Sequence, residues 1–176
     1  MNTSQIDWPS FTKIGVNKDD GIVELRTSKQ TGFERYKIVR KGYLVYNPMR
    51  VNIGSIALYD KDEIAITSPD YVVFKTTDGV PPVLILSFLK SPQGLMEINN
   101  NTQGAVRERL YFNQLCNINI AAAIIENAAK YGPVFEWFHK FNSLKPKIEY
   151  KLSRLEQSIL AKAFKGELTD REPVVR

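Results

Sequence analysis

The sequence is poor in the side chains that most enzymes use for chemistry. Its 176 residues include one cysteine, Cys116, and one histidine, His139. A lone cysteine excludes an internal disulfide framework and a cysteine-based metal cluster. A lone histidine leaves a His-metal site without a second imidazole, so no metal is expected. Long apolar runs are missing too: the aliphatic stretches at 83–86 and 121–125 fall far short of the ~20 residues that span a bilayer. Residues 1–20 are polar and lack the basic-then-apolar layout of a signal peptide, which predicts a cytoplasmic protein with no membrane partner. Neither a G-x-x-x-x-G-K-[ST] loop nor a G-x-G-x-x-G turn is present, so no cofactor is expected.

What remains is an ordinary folded-chain composition, 43% hydrophobic and 24% charged, with a net charge of +5. That balance excludes intrinsic disorder and low-complexity repeats. The placement of charge is more informative than its sum. Residues 26–52 carry seven basic side chains against one acid, and residues 139–165 carry seven against two, which leaves the rest of the chain acidic. Two basic zones on an acidic body suit a phosphate-facing surface. The plainer alternative is a solvated helix face plus scattered lysines.

Three zones separate by pattern, and together they predict an α+β fold: a compact domain with a mixed or antiparallel sheet, followed by a long C-terminal helical arm. Between residues 14 and 75, short Val/Ile/Tyr-rich runs at 21–25, 35–39, 43–47, 53–59, 63–67 and 71–75 read as strands. Their close spacing predicts hairpins and meanders, with Arg40-Lys41-Gly42 as one turn. A short helix is predicted over 83–91, opened by Pro82 and ended by Ser91-Pro92. Residues 94–110 read as a helical turn, an exposed loop and a return strand. Beyond 121 the chain is mostly helical, with a break or kink at Tyr131-Gly132-Pro133 and a fresh start at Pro146. In that last helix Ile148, Leu152, Leu155 and Ile159 recur at steps of four, three and four, continued by Ala163 and closed by Gly166. The expected domains are 1–120 for recognition, 121–168 for the helical region, and a 169–176 tail.

Catalytic signatures are fragmentary. Ser87-Phe88-Leu89-Lys90 fits S-x-x-K without the companion motifs of serine β-lactamases. Cys116, at the edge of an apolar stretch, reads as a buried structural thiol. His139, among Phe135, Trp137, Phe138 and Phe141, reads as a helix-packing residue. Recognition chemistry is better represented. Asn47, Arg50 and Asn52 cluster on one predicted turn, and Asn99, Asn101, Gln103, Arg107 and Arg109 form a second polar group. Asn and Gln pair with adenine edges, and Arg pairs with guanine or with phosphate. With Lys41, these are the candidate DNA-binding residues, set against the plainer view that Asn/Gly segments are simply turns.

Residues 153–169 carry a pattern of Leu155, then Gln157-Ser158-Ile159-Leu160, Lys162-Ala163-Phe164 and Gly166-Glu167-Leu168. This segment closely resembles the conserved-region helix of the specificity subunits of type I restriction–modification systems. Residues 38–58, 66–74 and 102–120 look like that family's target recognition domain, with its Lys-Gly-Leu-Val-Tyr-like strand, Ser-Pro-x-Tyr strand and Gly-x-x-Arg loop. The resemblance implies a non-catalytic subunit that reads half of a split double-stranded DNA site and docks adenine-modification subunits, joined by restriction subunits in the full complex. A full-length member holds two recognition domains and two antiparallel spacer helices. This chain has one of each, and AAAIIENAAKYGP stands where the family opens its helix with Pro-Pro-x-x-Glu-Gln. Half-length chains of this kind are expected to homodimerise through Ile148, Leu152, Leu155, Ile159 and Ala163, and to read two identical half-sites. Two other readings stay open: a protein-interaction module that redirects or blocks a resident methyltransferase complex without DNA affinity of its own, and a small nucleic-acid enzyme of unrecognised type.

Overall fold

In a computed structural model that describes residues 8–26, 32–102, 108–120 and 125–165, the strand Tyr43–Tyr46 lies at the centre of the first unit. The run Tyr-Leu-Val-Tyr does not alternate apolar with polar because both of its faces are covered. It pairs antiparallel with Ile56–Tyr59 on one side and Val72–Phe74 on the other. Leu44, Tyr46 and Ile56 point into one core with the helices, while Val45, Ala57 and Tyr59 point into a second with the other sheet. Each fully buried aliphatic side chain of this kind stabilises the fold by roughly 1.5–3 kcal/mol.

Numbered along the chain, the strands are β1 (Thr12–Val16), β2 (Ile22–Glu24), β3 (Lys37–Val39), β4 (Tyr43–Tyr46), β5 (Ile56–Tyr59), β6 (Ala65–Thr67) and β7 (Val72–Phe74). One sheet has the order β2-β1-β6-β3 and the other β5-β4-β7. The α+β class and the strand-rich first zone agree with the sequence. The expected simple meander does not hold. The Arg40-Lys41-Gly42 turn joins strands of different sheets, β3 pairing with β6 and β4 with β5 and β7. Strand β1, missing from the strand runs read in the sequence, pairs parallel with β6. The crossover such a pair needs is supplied here by the intervening strands rather than by a helix. Two buried hydroxyls add to the ladders: Thr67 Oγ1 donates to Ile14 O at 2.9 Å within the first sheet, and Ser55 Oγ, just before β5 of the second sheet, donates to Val16 O of β1 at 2.9 Å.

The helices are α1 (Pro82–Lys90), α2 (Pro92–Asn101), α3 (Phe112–Leu115) and α4 (Ala128–Phe164). Helix α1 matches its sequence signals, with Pro82 at the first turn. Ser91 then serves two helices at once: its Oγ donates to Phe88 O at 2.7 Å and accepts from Gly94 N at 3.1 Å. That second bond is an N-cap, so the chain restarts at Pro92 as a helix of 10 residues. Residues 94–101 of the expected helical turn and loop are therefore helix, residues 103–107 lie outside the described residues, and among those described the expected return strand is a single bridge residue at Arg109. Gly94 is required at this junction, because a Cβ there would run into the Phe88 carbonyl.

Helix α4 is 37 residues long and continuous through Pro133 and Pro146, where the sequence predicted a break and a new start. Each interior proline forfeits one backbone hydrogen bond. Residue 142, whose carbonyl Pro146 leaves free, is exposed, so water can take the missing donor's place. The described chain divides into two units between Phe135 and Glu136. In the first, Gly132 of α4 is buried against Pro81. In the second, the helix carries Ile148, Leu152, Leu155, Ile159 and Ala163, all exposed. Gly166 lies outside the described residues.

Candidate functional site

Strand β4 ends at Tyr46, and the next eight residues form a turn held almost wholly by its own backbone. Asn47 N donates to Ser55 O, Arg50 N to Asn47 O, Ile53 N to Arg50 O and Ser55 N to Arg50 O, at 3.0–3.2 Å. A short 3-10 helix at Val51–Ile53 closes on Gly54, whose φ of 91° is a conformation that favours glycine. Asn47 Oδ1 accepts from Met49 N at 3.0 Å, which fixes the entry to the turn. Pro48 and Val51 face inward, Val51 being fully buried beside Ile98 of α2. Met49, Arg50 and Ile53 face outward, and Asn52 is half-buried.

The second polar group comes to this turn through residues 109–111. Leu110 N donates to Pro48 O at 3.1 Å, and Tyr46 Oη donates to Leu110 O at 3.0 Å. Arg109 is half-buried, with Nη1 at 3.4 Å from Tyr111 Oη. The buried side chain of Gln114 accepts from Tyr111 N at 2.7 Å and holds the segment's far end. Helix α2 packs on the 3-10 helix and brings its C-terminal asparagines to the same region. Asn99 is exposed there. Asn101 is half-buried, and its amide donates to Glu97 O at 2.9 Å.

The structure thus gathers Asn47, Arg50, Asn52, Asn99, Asn101 and Arg109 on adjoining segments. Gln103 and Arg107 lie outside the described residues. Lys41 is not brought to the group. It precedes β4 whereas the turn follows it, and its Nζ is engaged by Asp62 Oδ1 at 2.6 Å. That hydrogen bond and charge hold the Lys41 ammonium above its ordinary pKa. Basic residues contiguous in sequence are therefore not contiguous on the surface: Lys37 Nζ donates to Tyr71 O, and Lys41 and Arg50 lie at opposite ends of β4.

One basic residue escaped the sequence reading. Lys18, on the β1–β2 loop, passes beside Gly54, with its Cγ 3.9 Å from where a Gly54 Cβ would stand. Neither Lys18 nor Arg50 has a side-chain partner among the described residues, which leaves both cations free for an anion. Asp19 and Asp20 share the Lys18 loop, and Asp20 is engaged by Asn17 Nδ2 at 2.9 Å. No sequence signal links residue 18 to residue 54; the Ser55–Val16 bond does so in space. Cys116 is exposed, contrary to the buried thiol expected, because it follows α3 in a turn at the surface.

Burial pushes the Tyr46 phenol well above its ordinary pKa, so it remains a neutral donor to Leu110. The positive charge at the site is carried by the exposed Lys18 and Arg50 and the half-buried Arg109, with Asp19 and Asp20 on the Lys18 loop as counter-charges. Such an arrangement offers forked and point-charge donors for phosphate or base edges, with amides between them.

No family model and no curated protein matches the chain. Among solved structures it is similar to a chain from work on the "structural basis underlying complex assembly and conformational transition of the type I R-M system", with a TM-score of 0.52 and 18% identity. The match covers 94% of this chain and 46% of that one, so this chain spans about half the length of the protein it resembles. At this identity the likeness is one of fold alone.

Proposed function

We propose that this chain is a half-length DNA-recognition subunit of a type I restriction–modification complex. Its first unit reads one half of a split site, and the α4 stripe pairs with a second copy while the helical region docks the modification subunit. The observation that supports this most is the fold likeness, which takes in nearly the whole of this chain but under half of its neighbour. The resemblance of residues 153–169 to the conserved helix of specificity subunits points the same way.

In this reading Lys18 and Arg109 neutralise phosphates and set register, joined by Arg107. Arg50, Asn52, Asn99, Asn101, Gln103 and the free amide N–H of Asn47 face base edges. Lys41 is left to structure, through Asp62. A base-reading Arg50 is worth about 1–3 kcal/mol of discrimination, whereas a phosphate-bound Lys18 weakens all sequences alike when removed and flattens the salt dependence.

The test is selection from a random-sequence duplex pool by the purified chain, alone and co-expressed with a modification subunit. Enrichment of a two-part motif with identical halves is the expected result. Failure to enrich any motif in either preparation would sink the reading. A second reading, a protein-interaction module without DNA affinity of its own, draws on the exposed apolar stripe alone. It predicts stable assembly with the modification subunit and no enriched motif.

A further inference from the structure

The turn after β4 has a property that phosphate binding does not call for: it points two large apolar side chains at solvent. Ile53 is 52% exposed and Met49 is 42% exposed, on either side of the free Arg50. Neither is stranded by a loose loop. The backbone bonds of residues 47–55 and the buried Val51 fix where both side chains emerge. Ile53, branched at Cβ, has little freedom left at χ1. The turn therefore presents a rigid apolar tip flanked by free cations, Arg50 on the turn and Lys18 beside Gly54. A partner matching both features must be anionic at its rim and apolar at discrete points within.

Duplex DNA is such a partner. Its backbone supplies the charge, and the 5-methyl group of thymine is the apolar feature of the major groove. We propose that Ile53, assisted by Met49, is a specificity-determining residue that reads a thymine methyl in the half-site, while Arg50 and Lys18 fix the turn against the adjacent backbone and base edges. This rests on the DNA-recognition reading above and adds to it the class of base and the group on that base.

The experiment starts from the selected motif and replaces each thymine in turn with uracil, deleting only the methyl group. Binding of the full chain is measured by fluorescence anisotropy across a series of salt concentrations, duplexes being compared at the same salt. Uracil at one or two positions of each half-site should weaken binding about fourfold, the worth of one buried methyl. Ile53→Ala should bind thymine and uracil duplexes equally at that position and keep the wild-type salt dependence. As Ile53 is exposed, the variant should fold, and an unchanged circular dichroism melt confirms it.

Sequence-specific binding that ignores uracil at every position, or a motif without thymine, overturns the methyl reading and leaves DNA recognition standing. If Ile53→Ala keeps the thymine preference but no longer assembles with the modification subunit, the tip is a protein contact and the proposal falls. Absence of any motif removes the DNA-recognition reading itself, and this inference with it.

Discussion

The Tyr46 hydroxyl donates a 3.0 Å hydrogen bond to the Leu110 carbonyl, 64 residues along the chain, and both residues are fully buried. This bond, with Leu110 N to Pro48 O, is what fastens the segment carrying Arg109 to the turn carrying Arg50. Tyr46→Phe keeps the ring but leaves a buried carbonyl unpaired, at a cost of about 1–3 kcal/mol. Urea denaturation should show a lower midpoint with an unchanged slope. An unchanged midpoint would mean that the Leu110–Pro48 backbone bond and packing hold the two segments without the Tyr46 hydroxyl.

The same phenol predicts an alkaline limit. Burial raises the folded-state pKa of Tyr46 above its ordinary value of 10.0, so its stabilising contribution is complete below pH 10. It is lost as pH rises from there toward the folded-state value, because the unfolded chain gives up the proton first. Wild-type stability should fall above pH 10, and less steeply in Tyr46→Phe. Tyr59, raised in the same direction by burial, leaves a residual slope. Identical slopes in the two proteins would contradict the assignment.

Asn47 separates architecture from reading. Its Oδ1 accepts from Met49 N, whereas its amide N–H groups are what a base edge would receive. Asn47→Asp keeps the acceptor and should leave the thermal midpoint within a degree or two of wild type, while Asn47→Ala should lower it. In DNA binding both variants should lose discrimination at the same position. Wild-type selectivity in Asn47→Asp would remove this residue from the reading set.

Gly132 sets two rules against each other. In a helix interior alanine is favoured over glycine by about 1 kcal/mol. A Cβ here, however, would stand 2.7 Å from Pro81 Cγ, and a proline ring cannot swing aside. Overpacking of this kind costs about 1–3 kcal/mol, so Gly132→Ala should destabilise. A rise in melting temperature would show that α4 can shift away from Pro81.

The apolar stripe on α4 is the place to test self-association. Ile148, Leu152 and Leu155 are each more than half exposed, so Ile148/Leu152/Leu155→Asp should not unfold the single chain. Light scattering should report a wild-type dimer and a monomeric variant. A monomeric wild type would leave the stripe to a different partner and rule out the symmetric reader.

Local signals in the sequence were read correctly where structure is locally determined. Pro82 and Ser91-Pro92 bracket α1, and the Val/Ile-rich runs became strands. What escaped depends on distant parts of the chain. Nothing near Thr12–Val16 says that its partner is Ala65–Thr67, or that β3 and β4 part company after a three-residue turn. The asparagines at 99–101 looked like loop residues because their propensity is weak; the Ser91 cap and buried Ile98 prevail over it. Pro133 and Pro146 looked like breaks because proline costs a helix one bond, yet α4 runs through both. The two polar groups were visible separately, but their meeting rests on the Leu110–Pro48 backbone bond and the Tyr46 hydroxyl's bond to Leu110, contacts between distant stretches that no local pattern encodes. Lys18 and the outward tilt of Ile53 were invisible for the same reason.

The turn after β4 owes its shape to main-chain hydrogen bonds, the Asn47 side-chain acceptor, one glycine and the inward-facing Pro48 and Val51, and owes almost nothing to the side chains at 49, 50, 52 and 53. Positions 49, 50, 52 and 53 can therefore be exchanged without redrawing the loop. If the chain recognises DNA as proposed, what it distinguishes can change at these positions without a cost to folding. The scaffold carries the folding burden, and the displayed positions are free to drift. A library randomised at those four positions should return folded proteins at a high rate and preferences of many kinds.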